Sequence, residues 1–230
     1  MGQVQAPQDE PQGRSHSEFA SQLVTPNALR APGKAQHAVD KALKAVLHHD
    51  SQDAAKELER ALAIYPDYAT ALTLRAILNM TRDPVTATTD LEHAIRADPT
   101  YGVAYAVLAS IYNDSQQPAN ALVNANKALQ FLPEAWPVHY ETARALFCLH
   151  RNERALQEIN EAIRGISRDA NAGAGSRATV HYLRGIILIN QHELSEARRE
   201  LKEAIKEEPT GSLAQPSNQL LARLSSTENR

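Results

Sequence analysis

Pairs of alanines seven residues apart recur along the sequence at nearly constant spacing. Residues seven apart lie on one face of an α-helix, two turns along, so each pair predicts a helix that a neighbouring helix can approach closely. The residue midway between the two alanines is apolar, and we expect it to fill the groove between the helices. Successive pairs are 33, 34, 34 and 42 residues apart, and they are Ala54 and Ala61, Ala87 and Ala94, Ala121 and Ala128, Ala155 and Ala162, and Ala197 and Ala204.

Prolines follow the same period. Four of them stand five residues after the second alanine of a unit, at Pro66, Pro99, Pro133 and Pro209, and Ser167 takes that place in the fourth unit. Proline cannot continue a helix and disfavours helical geometry in the residue before it, so each unit is predicted to end there. Val and Ile never alternate with polar residues over the length of a strand. The sequence therefore predicts an all-α chain built from helical units.

The third unit resembles the tetratricopeptide repeat, whose period is about 34 residues with one helix-turn-helix in each repeat. Tyr105, Leu108, Ala109 and Tyr112 stand where that family has Trp, Leu, Gly and Tyr. The resemblance extends over about residues 35–209. It implies a right-handed superhelical solenoid of about five such units, closed by a C-terminal capping helix.

Composition shifts divide the chain into three predicted segments. Residues 1–31 are rich in Gln, Pro, Ser and Gly, which predicts disorder, and docking of a fragment around Val24, Leu29 and Pro32 on the solenoid is the alternative. The solenoid is expected over residues 32–210, with an insertion loop at 168–177 that accounts for the 42-residue step. Residues 211–230 are predicted to supply a capping helix and tail, because the last apolar face of a solenoid needs a cover. In the second unit Arg75 replaces the usual Leu, and the turn between its helices is predicted to be one residue short.

No arrangement of residues in the sequence predicts catalysis, a cofactor or a metal site. Cys148 is the single cysteine, so an intramolecular disulfide or a cysteine zinc site cannot form, and we expect it to be a small packed residue. His48, His49 and Asp50 are interpreted as polar residues of a turn. The formal net charge is −3 with both signs interspersed, which argues against a nucleic-acid partner.

The sequence favours a cytoplasmic protein. No apolar run reaches the roughly 20 residues that a membrane helix needs, so membrane insertion is not expected. The first 14 residues lack the apolar centre of a signal peptide. An exported or periplasmic location is the alternative if a signal peptide has been removed.

The family resemblance also implies where a partner binds. In that family the first helix of each unit, helix A, lines a concave groove, and the second, helix B, forms the outer wall. The groove of this chain would be apolar with few charges, and exposed apolar area of that kind usually marks a binding site. If the register is wrong by one residue, the same side chains belong to the core instead. The predicted groove residues are Thr73, Ile77, Val103, Ala106, Ser110, Asn113, Tyr140, Arg144, Phe147, Tyr182 and Ile186.

The expected function is that of an adaptor which binds a peptide or helix of another protein. The bound segment is predicted to be mainly apolar, with one acidic residue opposite Arg144. Some family members grip the carboxylate of chaperone tails with Lys and Asn, but here those positions hold Val39, Leu43, Thr73 and Ile77, so that ligand class is disfavoured. The alternative is a self-associating structural protein that forms a homodimer through a solenoid end or its apolar first helix.

Overall fold

The computed structural model describes residues 26–228, and the side chains of residues 27–226. This part of the chain is helical throughout and contains no strand. Its helices are α1 (Pro26–Arg30), α2 (Gly33–Leu47), α3 (Ser51–Ile64), α4 (Ala69–Asn79), α5 (Pro84–Ala97), α6 (Gly102–Asp114), α7 (Pro118–Phe131), α8 (Trp136–Cys148), α9 (Asn152–Arg168), α10 (Ala174–Asn190), α11 (Leu194–Glu207) and α12 (Ala214–Glu228).

Ten of these helices form five successive pairs. The even-numbered helices from α2 to α10 are the A helices, and the odd-numbered helices from α3 to α11 are the B helices. Each A helix packs against the B helix of its own unit, and each B helix packs against the next helix in the chain. The A helices of units two to five also contact one another in order, as expected for the inner layer of a solenoid. The predicted all-α repeat architecture is confirmed.

The alanine pairs lie where the helices meet. Each of the ten alanines is at most 1% exposed, and the residue between each pair is fully buried. Alanine has no atoms beyond Cβ, so a neighbouring helix can approach closely and fill the remaining groove with larger side chains. The packing role predicted for these alanines is confirmed.

The turns between A and B helices share one backbone conformation in four of the five units. A residue with a positive φ of 56° to 63° stands five positions before the first alanine, at His49, Gln116, His150 and His192. This left-handed residue ends the A helix and lets the following amide bond back to a carbonyl of the last turn. In the second unit Arg82 holds the same place without a positive φ. The turn of that unit spans residues 80–83, one residue more than the three-residue turns of the other units, so the prediction of a turn one residue short was wrong.

Half of the predicted insertion loop at 168–177 is helical, so that prediction was wrong in extent. Helix α9 continues to Arg168 and α10 begins at Ala174, which leaves a link of only five residues between them. Trp136 fixes this link, because its indole Nε1 donates a hydrogen bond to Oδ2 of Asp169 at 3.0 Å. The extra residues therefore lengthen the two helices that flank the link.

Residues 26–31 lie in the segment predicted to be disordered, but they are ordered against the solenoid. The side chain of Asn27 donates to the carbonyl of Asp67 at 2.8 Å and accepts from the amide of Ala69 at 3.0 Å. Helix α4 begins at Ala69 and its own N-cap residue makes no side-chain capping bond, so Asn27 supplies the cap from another helix. The rest of the predicted disordered segment, residues 1–25, lies outside the described residues.

Candidate functional site

The predicted groove residues differ widely in exposure. Thr73 is only 1% exposed, because α4 packs closely against its neighbouring helices, so the prediction that it lines a groove was wrong. Ile77, one turn further along α4, is 40% exposed. The others are partly buried, and they are Val103, Ala106, Ser110, Asn113, Tyr140, Arg144, Phe147, Tyr182 and Ile186.

Arg144, in the middle of α8, already has partners within the chain. Its NH1 donates to both carboxylate oxygens of Glu141, at 3.2 and 3.0 Å, and its NH2 donates to Oδ1 of Asp114 at 2.7 Å. The guanidinium also lies over the ring of Tyr140, 5.8 Å from its centroid. An acidic ligand group at Arg144 would compete with two carboxylates in place, so the structure does not support the expected acidic contact.

Asn113 joins two A helices across the inner layer. Its amide nitrogen Nδ2, on α6, donates to the backbone carbonyl of Glu141 at 2.9 Å and to Oε2 of the same residue at 2.7 Å, on α8. Its oxygen Oδ1 is buried and accepts no hydrogen bond from any described residue. The amide therefore holds α6 and α8 in register and leaves one acceptor unused.

Burial controls the ionisation of two neighbours in this cluster. It raises the pKa of the Glu141 carboxyl, while the charge of Arg144 and hydrogen bonds from Asn113 and Ser110 act in the opposite direction. Burial also raises the pKa of Tyr140 to about 12, so its hydroxyl stays neutral. The cluster is a fixed polar centre in an otherwise apolar surface.

Tyr140, Arg144 and Cys148 recur every four residues and therefore share one face of α8. Cys148 is the last residue of the helix and is exposed, so the expectation that it is packed was wrong. Its place at the end of the helix leaves it outside the contacts that cover the middle of α8. It provides a single thiol beside the polar centre.

Tyr182 does not join the cluster around Tyr140. Tyr140 and Phe147 pack against the core of units three to five, whereas Tyr182 packs against the C-terminal core of Leu188, Ala197, Leu201 and Leu224. The side chains of Tyr140 on α8 and Tyr182 on α10 therefore do not converge on one cluster. The two helices do contact each other within the inner layer.

Asp114 is the site residue that sequence analysis missed. It is the last residue of α6, and its side chain is 57% exposed while it pairs with Arg144. The signal that could have found it is the repeat itself, because Asp114 lies 34 residues before Cys148 and so occupies the equivalent place in its unit.

The charged side chains of α10 are directed to the outer layer. Arg177 pairs with Glu207, and His181 and Arg184 both pair with Glu200, all between α10 and α11 of the same unit. These contacts fasten the two helices of unit five together. They leave the polar centre around Arg144 as the charged part of the inner surface that α6, α8 and α10 form.

None of the helices between residues 26 and 228 is long and apolar enough to span a membrane. Within the same part of the chain, no group of three or more His, Cys, Asp or Glu side chains is placed to hold a metal ion.

Comparison by sequence found no relative. No protein-family model matches the chain, and no curated protein matches it. The structure, in contrast, matches many solved structures.

Three of those structures illustrate the likeness. The Pseudomonas aeruginosa protein PilF has a TM-score of 0.69 at 16% identity, over 85% of this chain and 86% of that one. A tetratricopeptide-repeat protein of Thermus thermophilus has a TM-score of 0.61 at 17% identity, over 85% of this chain and all of that one. YrrB, described as such a protein with an unusual peptide-binding site, has a TM-score of 0.57 at 18% identity, over 79% and 90% of the two chains.

These likenesses and the five phased helix pairs define the class of the chain, a helical-repeat solenoid. More particularly, it has the fold of the tetratricopeptide-repeat proteins. At identities of 18% or less, the comparison concerns the fold alone.

Proposed function

We propose that this protein is an interaction scaffold that binds a peptide or helix of another protein along the inner surface of α6, α8 and α10. We call this surface the inner groove. It contains the partly buried residues Ser110, Asn113, Tyr140, Arg144 and Phe147. The proposal is of a binding protein rather than an enzyme.

The observation that carries this proposal is the fixed polar centre within an apolar groove. Asn113 and Arg144 are held by hydrogen bonds between α6 and α8 before any partner arrives. Side chains fixed in this way lose little conformational freedom on binding, which favours affinity. Tyr140 adds an aromatic surface with a polar tip, a residue type that often anchors interfaces.

The fold supports the same proposal. Curved helical-repeat solenoids expose an extended concave surface, and such surfaces are used for binding. YrrB, one of the structural neighbours, is described as having a peptide-binding site. A peptide in the inner groove of this chain would use the same architecture.

The single cysteine allows a direct test. A bulky maleimide attached to Cys148 would stand beside the inner groove, next to Phe147. The control is a Cys148→Ser, Val123→Cys variant with the same label, because Val123 is 63% exposed on the B helix α7, in the outer layer. Both labelled proteins and the unlabelled protein would serve as bait, and the captured proteins would be identified by mass spectrometry.

We expect the label at position 148 to abolish capture of a partner that the unlabelled protein and the Val123→Cys control both retain. Circular dichroism must show the same helix content in all three. Equal capture by the two labelled proteins would place the partner elsewhere, and loss with the label at position 123 would indicate the outer surface.

Self-association is the second candidate function. Val46 and Leu47, at the end of the first A helix, are 41% and 78% exposed, and apolar side chains there could meet a second copy. Light scattering during size-exclusion chromatography decides this point. A dimer that Leu47→Glu converts to a monomer would support self-association, and a monomeric wild-type protein at micromolar concentration would contradict it.

A further inference from the structure

We infer that the segment bound in the inner groove carries a basic side chain, Lys or Arg, among apolar residues, and that Asp114 receives it. This inference rests on the proposed function, because it specifies the chemistry of the segment that the inner groove would hold. It replaces the acidic residue that the sequence alone suggested.

The charged residues of the polar centre, on α6 and α8, sum to an excess of one negative charge. The charged residue on α6 is Asp114, and those on α8 are Glu141 and Arg144, besides His139, which pairs with Glu158 on α9. One guanidinium faces two carboxylates, so the polar centre carries a formal charge of −1. The cations of α10 pair with glutamates of α11 and do not offset it.

Asp114 is the accessible part of this negative charge. The side chain of Glu141 is 13% exposed and that of Arg144 is 26% exposed, whereas that of Asp114 is 57% exposed. Asp114 is also the last residue of α6, where the helix dipole presents its negative end. A carboxylate is unfavourable at that end of a helix, and an incoming cation would be attracted by both the carboxylate and the dipole.

The hydrogen-bonding groups that remain unused in the polar centre are acceptors, which also favours a basic side chain. Oδ1 of Asn113 is buried beside Glu141 and accepts no hydrogen bond from the described residues. The donors of Arg144 already serve Glu141 and Asp114. Lys and Arg side chains offer donors only, so they match a centre whose spare groups are acceptors.

The surrounding side chains suit the aliphatic part of such a residue. Tyr140 and Phe147 lie one turn to either side of Arg144 on α8. Lys and Arg bury their methylene stems against apolar surface while the charged end stays near water. Arg144 itself lies over the ring of Tyr140, which illustrates that this face accepts a cation.

A phage-displayed library of random 12-residue peptides, panned on the intact protein, tests this inference even though the natural partner has not been identified. The panning would be repeated with Asp114→Asn, which removes the excess charge, and with Asp114→Lys, which reverses it. Glu153→Gln is the matched control, because Glu153 is exposed on the B helix α9. Labelling Cys148 identifies the peptides that bind in the inner groove.

We expect peptides displaced by the Cys148 label to be enriched in Lys or Arg flanked by apolar residues. Replacing that basic residue with norleucine should weaken binding by roughly two- to fivefold, the effect of one partly exposed ion pair. The same change should have no effect in Asp114→Lys, and Glu153→Gln should behave like wild type.

Three results would overturn the inference. Enriched groove peptides without a basic residue would contradict the inference alone and leave the proposed function standing. A basic preference that survives in Asp114→Lys would show that another group receives the cation. Failure of any peptide to be displaced by the Cys148 label would overturn both the groove as a peptide site and the inference that rests on it.

Discussion

Arg75 donates two hydrogen bonds to the carboxylate of Asp90, from Nε to Oδ2 at 2.8 Å and from NH2 to Oδ1 at 2.7 Å. Its NH1 donates to Glu59 at 2.8 Å, so one guanidinium joins α4, α5 and α3. The hydrogen bond to Asp90 is the main cause that raises the pKa of Arg75. This arrangement explains how the second unit tolerates Arg at a position where the repeat usually has Leu.

Restoring the usual Leu at this position should therefore destabilise the protein. The side chain of Asp90 is 8% exposed, so Arg75→Leu would leave a buried carboxylate without its partner. We expect a loss of about 3 kcal/mol in the free energy of unfolding, measured by urea denaturation. Glu59→Gln, which changes a side chain that is 63% exposed, should cost less than about 1 kcal/mol.

The double variant Arg75→Leu, Asp90→Leu separates the two possible reasons for such a loss. A buried ion pair can often be replaced by apolar residues at little cost, so the double variant should recover most of the stability. If the single Arg75→Leu variant is as stable as wild type, the pair has no structural role. If the double variant is no better than the single, the loss comes from packing.

His139 should make the stability depend on pH. Its Nδ1 lies 2.8 Å from Oε2 of Glu158 and its Nε2 lies 2.9 Å from the carbonyl of Pro133, so both ring nitrogens face acceptors. The hydrogen bond to Glu158 is the main cause that raises the pKa of His139 above its ordinary value of 6.5. The folded state thus binds the proton more tightly than the unfolded state does.

The raised pKa of His139 determines the direction in which stability changes with pH. The stabilisation from His139 is complete below about pH 6.5 and is lost as the pH rises through the raised pKa of the folded state. The thermal midpoint of wild type should therefore fall more between pH 6 and pH 8.5 than that of His139→Phe. Glu158→Gln should lower the pKa of the ring, followed by NMR. A ring pKa at or below 6.5 in wild type would contradict this account.

Two Ala→Leu substitutions on α7 test the packing role of the alanines that are spaced seven residues apart. Ala128 is fully buried in a small core with Leu132 and Val138, whereas Ala119 is exposed near the start of the same helix. Ala128→Leu should overpack that contact and lower the free energy of unfolding by about 1–3 kcal/mol. Ala119→Leu should change it by less than about 0.5 kcal/mol. Equal losses would mean that the seven-residue spacing has no packing role.

The sequence was sufficient to predict the helical repeat because the pattern that marks it is periodic. Ala121 and Ala128 are repeated in phase in every unit, and each helix boundary follows from a proline or a turn near them. Contacts between side chains that are far apart in the sequence do not recur at a fixed spacing. The partners of Arg144 include Asp114, 30 positions earlier, and the cap supplied by Asn27 lies 42 positions before Ala69. Such contacts depend on how helices lie against each other, which the sequence pattern does not specify.

The turns between A and B helices offer the sharpest test of the backbone, because one substitution should have opposite effects in two units. Gln116 has a φ of 56°, a left-handed conformation that costs a residue with a Cβ atom roughly 1 kcal/mol or more. Glycine adopts this conformation without that cost, although it also makes the unfolded chain more flexible. Gln116→Gly should therefore raise the free energy of unfolding by about 0.5 kcal/mol.

Arg82 is the matched control, since it stands at the equivalent place in the turn of unit two and does not have a positive φ. Its side chain is exposed, so Arg82→Gly relieves no strain and only adds flexibility to the unfolded chain. We expect it to lower the free energy of unfolding by about 0.5–1 kcal/mol. Urea denaturation of both variants measures the difference in sign. A loss of stability in both would show that the turn after α6 does not require a left-handed residue, and a gain in both would show that the turn after α4 requires one as well.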